Sequence, residues 1–242
     1  QGGVMYFIEN GLGPKFRPLA LMFSISGAFG CITFFQANQL SQIIRDYIYF
    51  PAGLFQSDIF LGNIFTGFCV SILVGSIIFG GIKRIAKVAS RLVPLMVGFY
   101  LLAALIIIFK NISEIPQIFM LILQDAFTGQ SAAGGAIGSV IIIGVRRGLF
   151  SNEAGTGTET MAHGAAKTKE PIREGLVAML GPFIDTIIVC SITAIIILAS
   201  GVYTQDLNGV SMTVAAFNQE LGTFGKVFLI IAVLTFALST MF

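Results

Sequence analysis

The stretch 144–157 reads GVRRGLFSNEAGTG, and it interrupts a run of apolar residues that begins near Ser131. Its arginines and its glutamate are costly at membrane depth, roughly 2.5–3.5 kcal/mol for each charge that is neither paired nor hydrated. Its four glycines weaken a helix, while Ser151 and Asn152 compete for backbone hydrogen bonds. The pattern predicts a discontinuous membrane helix that stops within 148–155 and resumes before Met161.

Irregular backbone at membrane depth is tolerated only where it is buried in protein or lines a cavity. Half-helix ends in such a cavity bind ions and charged substrate groups. The alternative is a glycine-rich cytoplasmic loop, in which case the fourth span ends at Val145. The discontinuous reading predicts that the opened turn faces a protein cavity and holds a zwitterion there.

Composition places the rest of the chain in a membrane as well. The chain is 55% hydrophobic and 11% charged, whereas soluble domains are about 25% charged. Because a spanning helix needs about 20 apolar residues, we expect residues 1–242 to form one all-α transmembrane domain. The predicted spans lie near 18–44, 59–81, 93–109, 131–167 (broken), 174–200 and 223–242. The stretch 113–128 is expected at the interface or in a loop, and 202–222 as a long loop with room for a short helix.

Basic residues predict the orientation, since cytoplasmic loops carry an excess of lysine and arginine. Alternate loops hold nine such residues and the opposite side holds three. The loops 82–92 and 167–173 are therefore expected on the cytoplasmic side. The nine residues are Lys15, Arg17, Lys83, Arg84, Lys87, Arg91, Lys167, Lys169 and Arg173, and the three are Arg45, Lys110 and Lys226.

Ionisable residues inside the spans are functional candidates, because charge in lipid needs a partner or water. Arg146 and Arg147 precede the break, and Glu153 follows it. Asp185 lies inside the fifth predicted span. We expect an arginine to pair with Glu153 or Asp185, and the alternatives for Asp185 are a functional carboxylate or a purely structural partner.

Neutral polar residues in spans are the second group of candidates. Gln36 and Gln39 are three residues apart and share a helix face. They serve either a binding site or interhelical hydrogen bonding. Ser239 and Thr240 are consecutive, and their hydroxyls could ligate Na⁺.

Several classes of function are excluded. No nucleophile elbow, phosphate loop, HExxH or paired-cysteine motif occurs, so we expect no enzyme, no catalytic residues and no cofactor. A net charge of +2 is too small to indicate nucleic-acid binding. The chain begins at Gln1 and stops within an apolar run, and we expect it to be an internal part of a longer protein.

The segments RRGLFSNEAGTG, AAKTKEPIREGLV and GPFIDTIIVC closely resemble the alanine or glycine:cation symporter family, the sodium/alanine symporters. GGVMYFIENGLG, FFQAN and GGIKRIAKVASRLVPLM resemble the same family, so the likeness covers essentially the whole chain. GTGTETMAHGAA departs from the run that family members more often have. The resemblance implies a leucine-transporter-like fold of inverted repeats, of which this chain is about helices 3 to 8.

The resemblance also implies a function and a site. It implies symport of a small neutral amino acid, alanine or glycine, with Na⁺ across the cytoplasmic membrane. Gln36 and the turn formed by Phe150, Ser151 and Asn152 would contact the substrate, and Ser239 and Thr240 would contribute to a sodium site. The remaining helices of the same full-length chain would complete it. The alternatives are a proton-coupled transporter, with Glu153 or Asp185 as carrier, and a non-transporting membrane sensor or structural subunit.

Overall fold

The computed structural model describes residues 2–127, 142–146, 148 and 151–242. Helices dominate these ranges, and no strand occurs among them. Five helical stretches within them are long and apolar enough to cross a membrane: Pro14–Tyr49, Ile59–Ile78, Gly81–Lys110, Pro171–Ala199 and Val210–Thr240. The protein is therefore an all-helical, multi-pass membrane protein. Most of the first half of the fourth predicted span, 131–141, lies outside the described residues.

The chain divides into two compact units. The first comprises Gln1–Ile32 and Pro116–Ile192, and the second comprises Thr33–Ile115 and Thr193–Phe242. The first contains α-helices at Val4–Phe7, Arg17–Gly30, Glu153–Thr156, Glu159–His163, Pro171–Ala178 and Leu180–Pro182, most of Ile115–Phe127, a 3₁₀ turn at Pro14–Phe16, and π-helical segments at Ile8–Leu12 and Phe183–Cys190.

Glycines permit the closest contacts of the first unit. A Cβ added to Gly164 would lie 2.4 Å from the Gly2 Cα, so the two backbones meet where no side chain fits. Gly157 has φ 78° and lies against the side chains of Phe23 and Val4. The N-terminal segment thus packs directly against the chain that follows Asn152.

The second unit is built around the Val210–Thr240 helix. This helix packs mainly against Phe34–Ile44 and Gly81–Lys110. The remaining elements of the second unit are α-helices at Ile59–Ile78 and most of Ser191–Ala199, a π-helical segment at Arg45–Tyr49 and a 3₁₀ turn at Val202–Thr204. The largest fully buried side chains of this unit are Phe217, Leu40, Ile43, Ile107, Ile196, Leu229, Val202 and Val214.

Side chains mark where helices of this unit start and cross. Asp58 accepts a hydrogen bond from the Leu61 N–H at 3.0 Å and caps the Ile59–Ile78 helix. Tyr100 hydrogen-bonds Thr193, and its ring packs 5.7 Å from that of Phe217. A buried tyrosine that satisfies its hydroxyl in this way joins two helices without leaving a polar atom unpaired.

The stretch 82–92, predicted as a loop, is helical. It forms the first turns of Gly81–Lys110, which is 30 residues long. Because 82–92 contains alanine, lysine and arginine and no glycine or proline, nothing in it stops a helix. The span was predicted to stop where the charged residues begin. A helix can continue beyond the membrane into water, and this one does.

The first predicted span, 18–44, is divided in the structure. One helix ends at Gly30 and the next begins at Phe34, with Thr33 at φ −82°, ψ 39° between them. Glycine, cysteine, isoleucine and threonine occupy 30–33, and all are weaker helix formers than alanine or leucine. The break is therefore a local consequence of poor helix formers that hydropathy alone did not reveal.

The stretch 202–222 was expected to be mainly loop, but helix occupies it from Val210. Val214 and Phe217, three residues apart, are both buried, so this face of the helix packs inward. The helix bends at Gly222, where φ 66° and ψ −155° are open only to glycine. An ion pair of 3.0 Å between Lys110 and Glu220 holds the segment before the bend, and the Glu220 side chain is only 9% exposed.

Gly225, in the turn after the Gly222 bend, gives a stability prediction. A Cβ on Gly225 would lie 2.3 Å from the carbonyl oxygen of Phe217, and backbone cannot swing aside as a side chain can. Gly225→Ala should therefore destabilise the protein by about 1–3 kcal/mol and lower its melting temperature by several degrees.

The matched control is Gly98→Ala on the Gly81–Lys110 helix, where an added Cβ meets nothing within 4 Å. Alanine is the better helix former, so this variant should melt at the same temperature or higher. Thermal unfolding of the purified full-length protein in detergent measures both. Equal melting temperatures for the two variants would contradict the close approach at Gly225.

Candidate functional site

The candidate site lies where the chain leaves helical geometry at Asn152. This residue is extended, with φ −141° and ψ 161°, and falls inside the predicted 148–155. A four-residue helix, Glu153–Thr156, follows and ends at Gly157 in the left-handed conformation. Helix resumes at Glu159–His163. The described backbone is thus interrupted twice within six residues, and the Asn152 side-chain oxygen accepts from the Gly155 N–H at 3.1 Å.

Polar side chains of the Phe183–Cys190 segment bind this interruption. The Asn152 amide donates to the Thr186 hydroxyl at 2.7 Å. The Ser151 hydroxyl donates to the Asp185 carboxylate at 3.2 Å and lies 3.4 Å from both the Thr186 hydroxyl and the Cys190 thiol. We call these five residues the break cluster. It concentrates a carboxylate, two hydroxyls, an amide and a thiol inside an apolar span.

A π-helical stretch presents the second half of the break cluster. Phe183–Cys190 begins directly after Pro182. Proline in a helix interior removes one backbone donor and clashes with the carbonyl four residues before it, which favours a departure from α geometry. The wider π-turn re-aims side chains and is frequent at functional sites. Consecutive residues Asp185 and Thr186 thereby both reach Ser151.

Past the break, His163 joins two elements of the first unit. Its Nδ1 lies 2.6 Å from Glu174, at the start of the fifth span, and its Nε2 lies 3.4 Å from Glu159. These contacts attach the resumed helix Glu159–His163 to the start of the fifth span.

The amides of the first predicted span separate into two roles. Gln39 accepts from the Val210 N–H at 3.3 Å, so its side chain contacts the start of the Val210–Thr240 helix. Gln36, predicted to contact substrate, is half-buried, and no described residue hydrogen-bonds its amide. Gln36 belongs to the second unit, whereas the break cluster belongs to the first.

Ser239 and Thr240, the predicted sodium ligands, lie on the last turn of the Val210–Thr240 helix. Both hydroxyls donate to the Phe236 carbonyl, at 2.8 and 3.0 Å. Their oxygen lone pairs remain available, because a hydroxyl that donates can still accept or ligate. The helix C-terminus adds a partial negative charge nearby.

The structure describes three of the four charged candidates around the break, Arg146, Glu153 and Asp185. Arg146 is exposed and forms no ion pair with any acid of the described residues. Asp185 instead accepts from Ser151, and Glu153 is exposed at the start of its short helix. Arg147 and Phe150 lie outside the described residues, so their predicted roles remain predictions. Within the described ranges, no group of three His, Cys, Asp or Glu side chains could hold a metal ion.

Sequence reasoning overlooked two members of the break cluster as ligands of the turn. These two members are Thr186 and Cys190. Their spacing was an available signal: positions 186 and 190 are four apart and share a helical face. What the spacing did not contain is that this face meets Ser151.

Comparisons with known proteins give one family profile and several relatives. The profile of the sodium:alanine symporter family matches residues 1–242. A transporter of Haemophilus influenzae is 41% identical over 249 residues, which cover 99% of this chain and 52% of the relative. The sodium/alanine symporter AgcS of Methanococcus maripaludis is 37% identical over 99% of this chain and 52% of its own length.

A sodium/proton-dependent alanine carrier protein of Bacillus sp. is 37% identical over 206 residues, or 79% of this chain and 46% of the relative. The chain thus spans about half the length of the curated relatives that it matches.

The break cluster predicts local stability around Asn152. Thr186→Val keeps the side-chain shape but removes the acceptor of the Asn152 amide. This hydrogen bond is half-buried, and its loss costs about 1–1.5 kcal/mol, so hydrogen exchange of the backbone amides at 151–158 should become roughly tenfold faster. Hydrogen–deuterium exchange with mass spectrometry measures this.

Thr204→Val is the control, since the Thr204 hydroxyl donates to the Gly201 carbonyl in a separate turn. That variant should leave exchange at 151–158 unchanged. If Thr186→Val also leaves it unchanged, the Asn152–Thr186 hydrogen bond does not hold the break.

Proposed function

Because the chain belongs to the sodium:alanine symporter family, a family of transporters rather than enzymes, we propose that the full-length protein carries small neutral amino acids, alanine or glycine, together with Na⁺ across the cytoplasmic membrane. The observation that supports this most strongly is the interruption at Asn152 beside an apolar span, held by the break cluster. A zwitterionic solute needs donors for its carboxylate and acceptors for its ammonium group, and an opened helix supplies both. We further propose that the chain adopts part of a leucine-transporter-like inverted-repeat fold.

Each side of the break has a distinct part in this proposal. The first turn after Asn152 offers N–H groups that an α-helix leaves without internal partners, and these suit the solute carboxylate. Ser151 lies between this turn and the Asp185 carboxylate, so Asp185 orients the hydroxyl and adds the negative charge that an ammonium group or cation favours. Phe150 would cover the apolar side of a small solute.

Gln36 is proposed to contact the solute. Its amide has no described hydrogen-bond partner, whereas the Gln39 amide is engaged with Val210. A half-buried amide that lacks a protein partner gains most from a polar ligand. Ser239 and Thr240 are proposed as sodium ligands that the remaining part of the full-length chain completes.

Uptake of labelled alanine by the full-length protein in liposomes tests the function. One Na⁺ moving down about 100 mV supplies roughly 2.3 kcal/mol, which supports about 50-fold accumulation. We expect accumulation only when a sodium gradient is present. Accumulation driven by a pH gradient without Na⁺ would show that the coupling ion is the proton rather than Na⁺. Absence of uptake under every gradient would favour a sensor or structural subunit.

The two amides of the first span give a pair of opposite outcomes. Gln36→Ala should weaken alanine affinity about fivefold to tenfold, the effect of one lost hydrogen bond, with the melting temperature unchanged. Gln39→Ala should lower the melting temperature and leave the alanine affinity unchanged, because it removes the acceptor of the Val210 N–H but no proposed ligand contact. Calorimetry and thermal unfolding of both purified variants measure this, and unchanged affinity in Gln36→Ala would make Gln36 a packing residue.

The sodium ligands are tested on the same helix. The Ser239→Ala, Thr240→Ala double variant should raise the Na⁺ concentration for half-maximal uptake by about tenfold or more, since a contact to a charged group contributes roughly 1.5–3 kcal/mol. Alanine affinity at saturating Na⁺ should change little. Thr235→Ala, which removes a hydroxyl bonded to the Ile231 carbonyl one turn earlier, is the control. Identical sodium dependence in the double variant and in Thr235→Ala would exclude these ligands.

A further inference from the structure

A row of basic side chains occupies the first turns of the Gly81–Lys110 helix. Lys83, Lys87 and Arg91 follow one another at intervals of four residues, which places them on one helix face, and Arg84 lies beside them. All four side chains are exposed. We call these four residues the basic stripe. The sequence contains no aspartate or glutamate between Asp58 and Glu114, so the charge of this helix is not neutralised along its own chain.

The rest of the described protein does not neutralise the basic stripe either. None of its four residues forms an ion pair with an acid of the described ranges. Like charges four residues apart on a helix repel each other and weaken it. An arrangement that retains this repulsion without an internal counter-ion fits an external anion.

Apolar side chains lie beside the basic stripe, in and next to the turn that joins two helices. Phe79, in the turn between the Ile59–Ile78 and Gly81–Lys110 helices, is 94% exposed, and Ile82 is 58% exposed. An exposed aromatic residue beside lysine and arginine is the combination found where a helix meets lipid headgroups. The turn and the start of the helix therefore present both an apolar and a cationic surface.

Helix length places this surface at the membrane boundary. At about 1.5 Å per residue, the 30 residues of Gly81–Lys110 measure roughly 45 Å, against about 30 Å for the hydrocarbon core. The apolar stretch 93–109 is long enough for most of that core. The basic stripe, which is continuous with it, then falls in the headgroup layer rather than in bulk water.

We propose that the basic stripe, with Phe79 at its tip, is a binding surface for the headgroups of anionic phospholipids. Clusters of lysine and arginine immediately beside a membrane helix attract acidic lipids, and this attraction falls off within a Debye length. Nucleic acid or an acidic protein could meet the same charge. Lipid is the partner that the position at the end of a span and the exposed Phe79 favour. The inference is independent of the transported solute.

Lipid binding by the full-length protein in detergent tests the inference. Native mass spectrometry during titration with phosphatidylglycerol, and separately with phosphatidylcholine, measures the preference for the anionic lipid. The Lys83→Gln, Lys87→Gln, Arg91→Gln variant should lose tenfold or more of that preference, since about fivefold is expected for each charge near the surface. Raising salt from 0.15 to 0.5 M should weaken the preference of the unmodified protein, and free glycerol 3-phosphate should not displace the lipid.

A matched control removes the same charges elsewhere. Lys167→Gln, Lys169→Gln, Arg173→Gln also deletes two lysines and one arginine and should retain the preference. The charge-preserving variant Lys83→Arg, Lys87→Arg, Arg91→Lys should retain it too, which separates loss of charge from loss of folding. An equal loss in both glutamine variants would show a general effect of net charge and overturn the proposal. No loss in the stripe variant would leave these residues with a role in orientation alone and overturn it as well.

Discussion

Lipid offers no hydrogen bonds, so each interruption of a helix inside the membrane must find its partners in the protein. The hydrogen bond from Asn152 to Thr186 answers this constraint at the most polar interruption of the chain. It attaches the opened turn to a second span and leaves Ser151 between that turn and Asp185. The composition of the break cluster follows from the same need, because short polar side chains satisfy a broken backbone at close range.

The same solution recurs in the second unit at another break. The segment before Gly222 is attached by side chains at both ends: Gln39 accepts from its first N–H group, and Lys110 and Asn111 donate to Glu220 near its last turn. The Gln219 amide donates to the Ser200 carbonyl at 2.8 Å. Amides and ion pairs therefore fix irregular backbone, while long apolar helices supply the burial that stabilises each unit.

Sequence patterns predicted the elements that depend on composition and missed those that depend on pairing. A non-helical position within 148–155 followed from glycine, serine and asparagine, which act locally. The helix over 210–221 was missed because its polar residues suggested a loop, although Val214 and Phe217 are buried on one face. The contact of Ser151 with Cys190 joins positions 39 residues apart, and no local pattern contains it. Membership of a family suggested the function but did not supply these contacts.

The π-helical segment Phe183–Cys190 has a further consequence for how this span can change over time. A π-turn holds one residue more than an α-turn, so it is the local form that a single-residue insertion takes inside a helix. Because the wider turn absorbs the extra residue, deleting one residue here would restore α pitch and leave the Ser191–Ala199 helix facing nearly as it does now. Length variation at this position therefore changes which side chains of the turn itself reach the break, while the helix that follows keeps its faces.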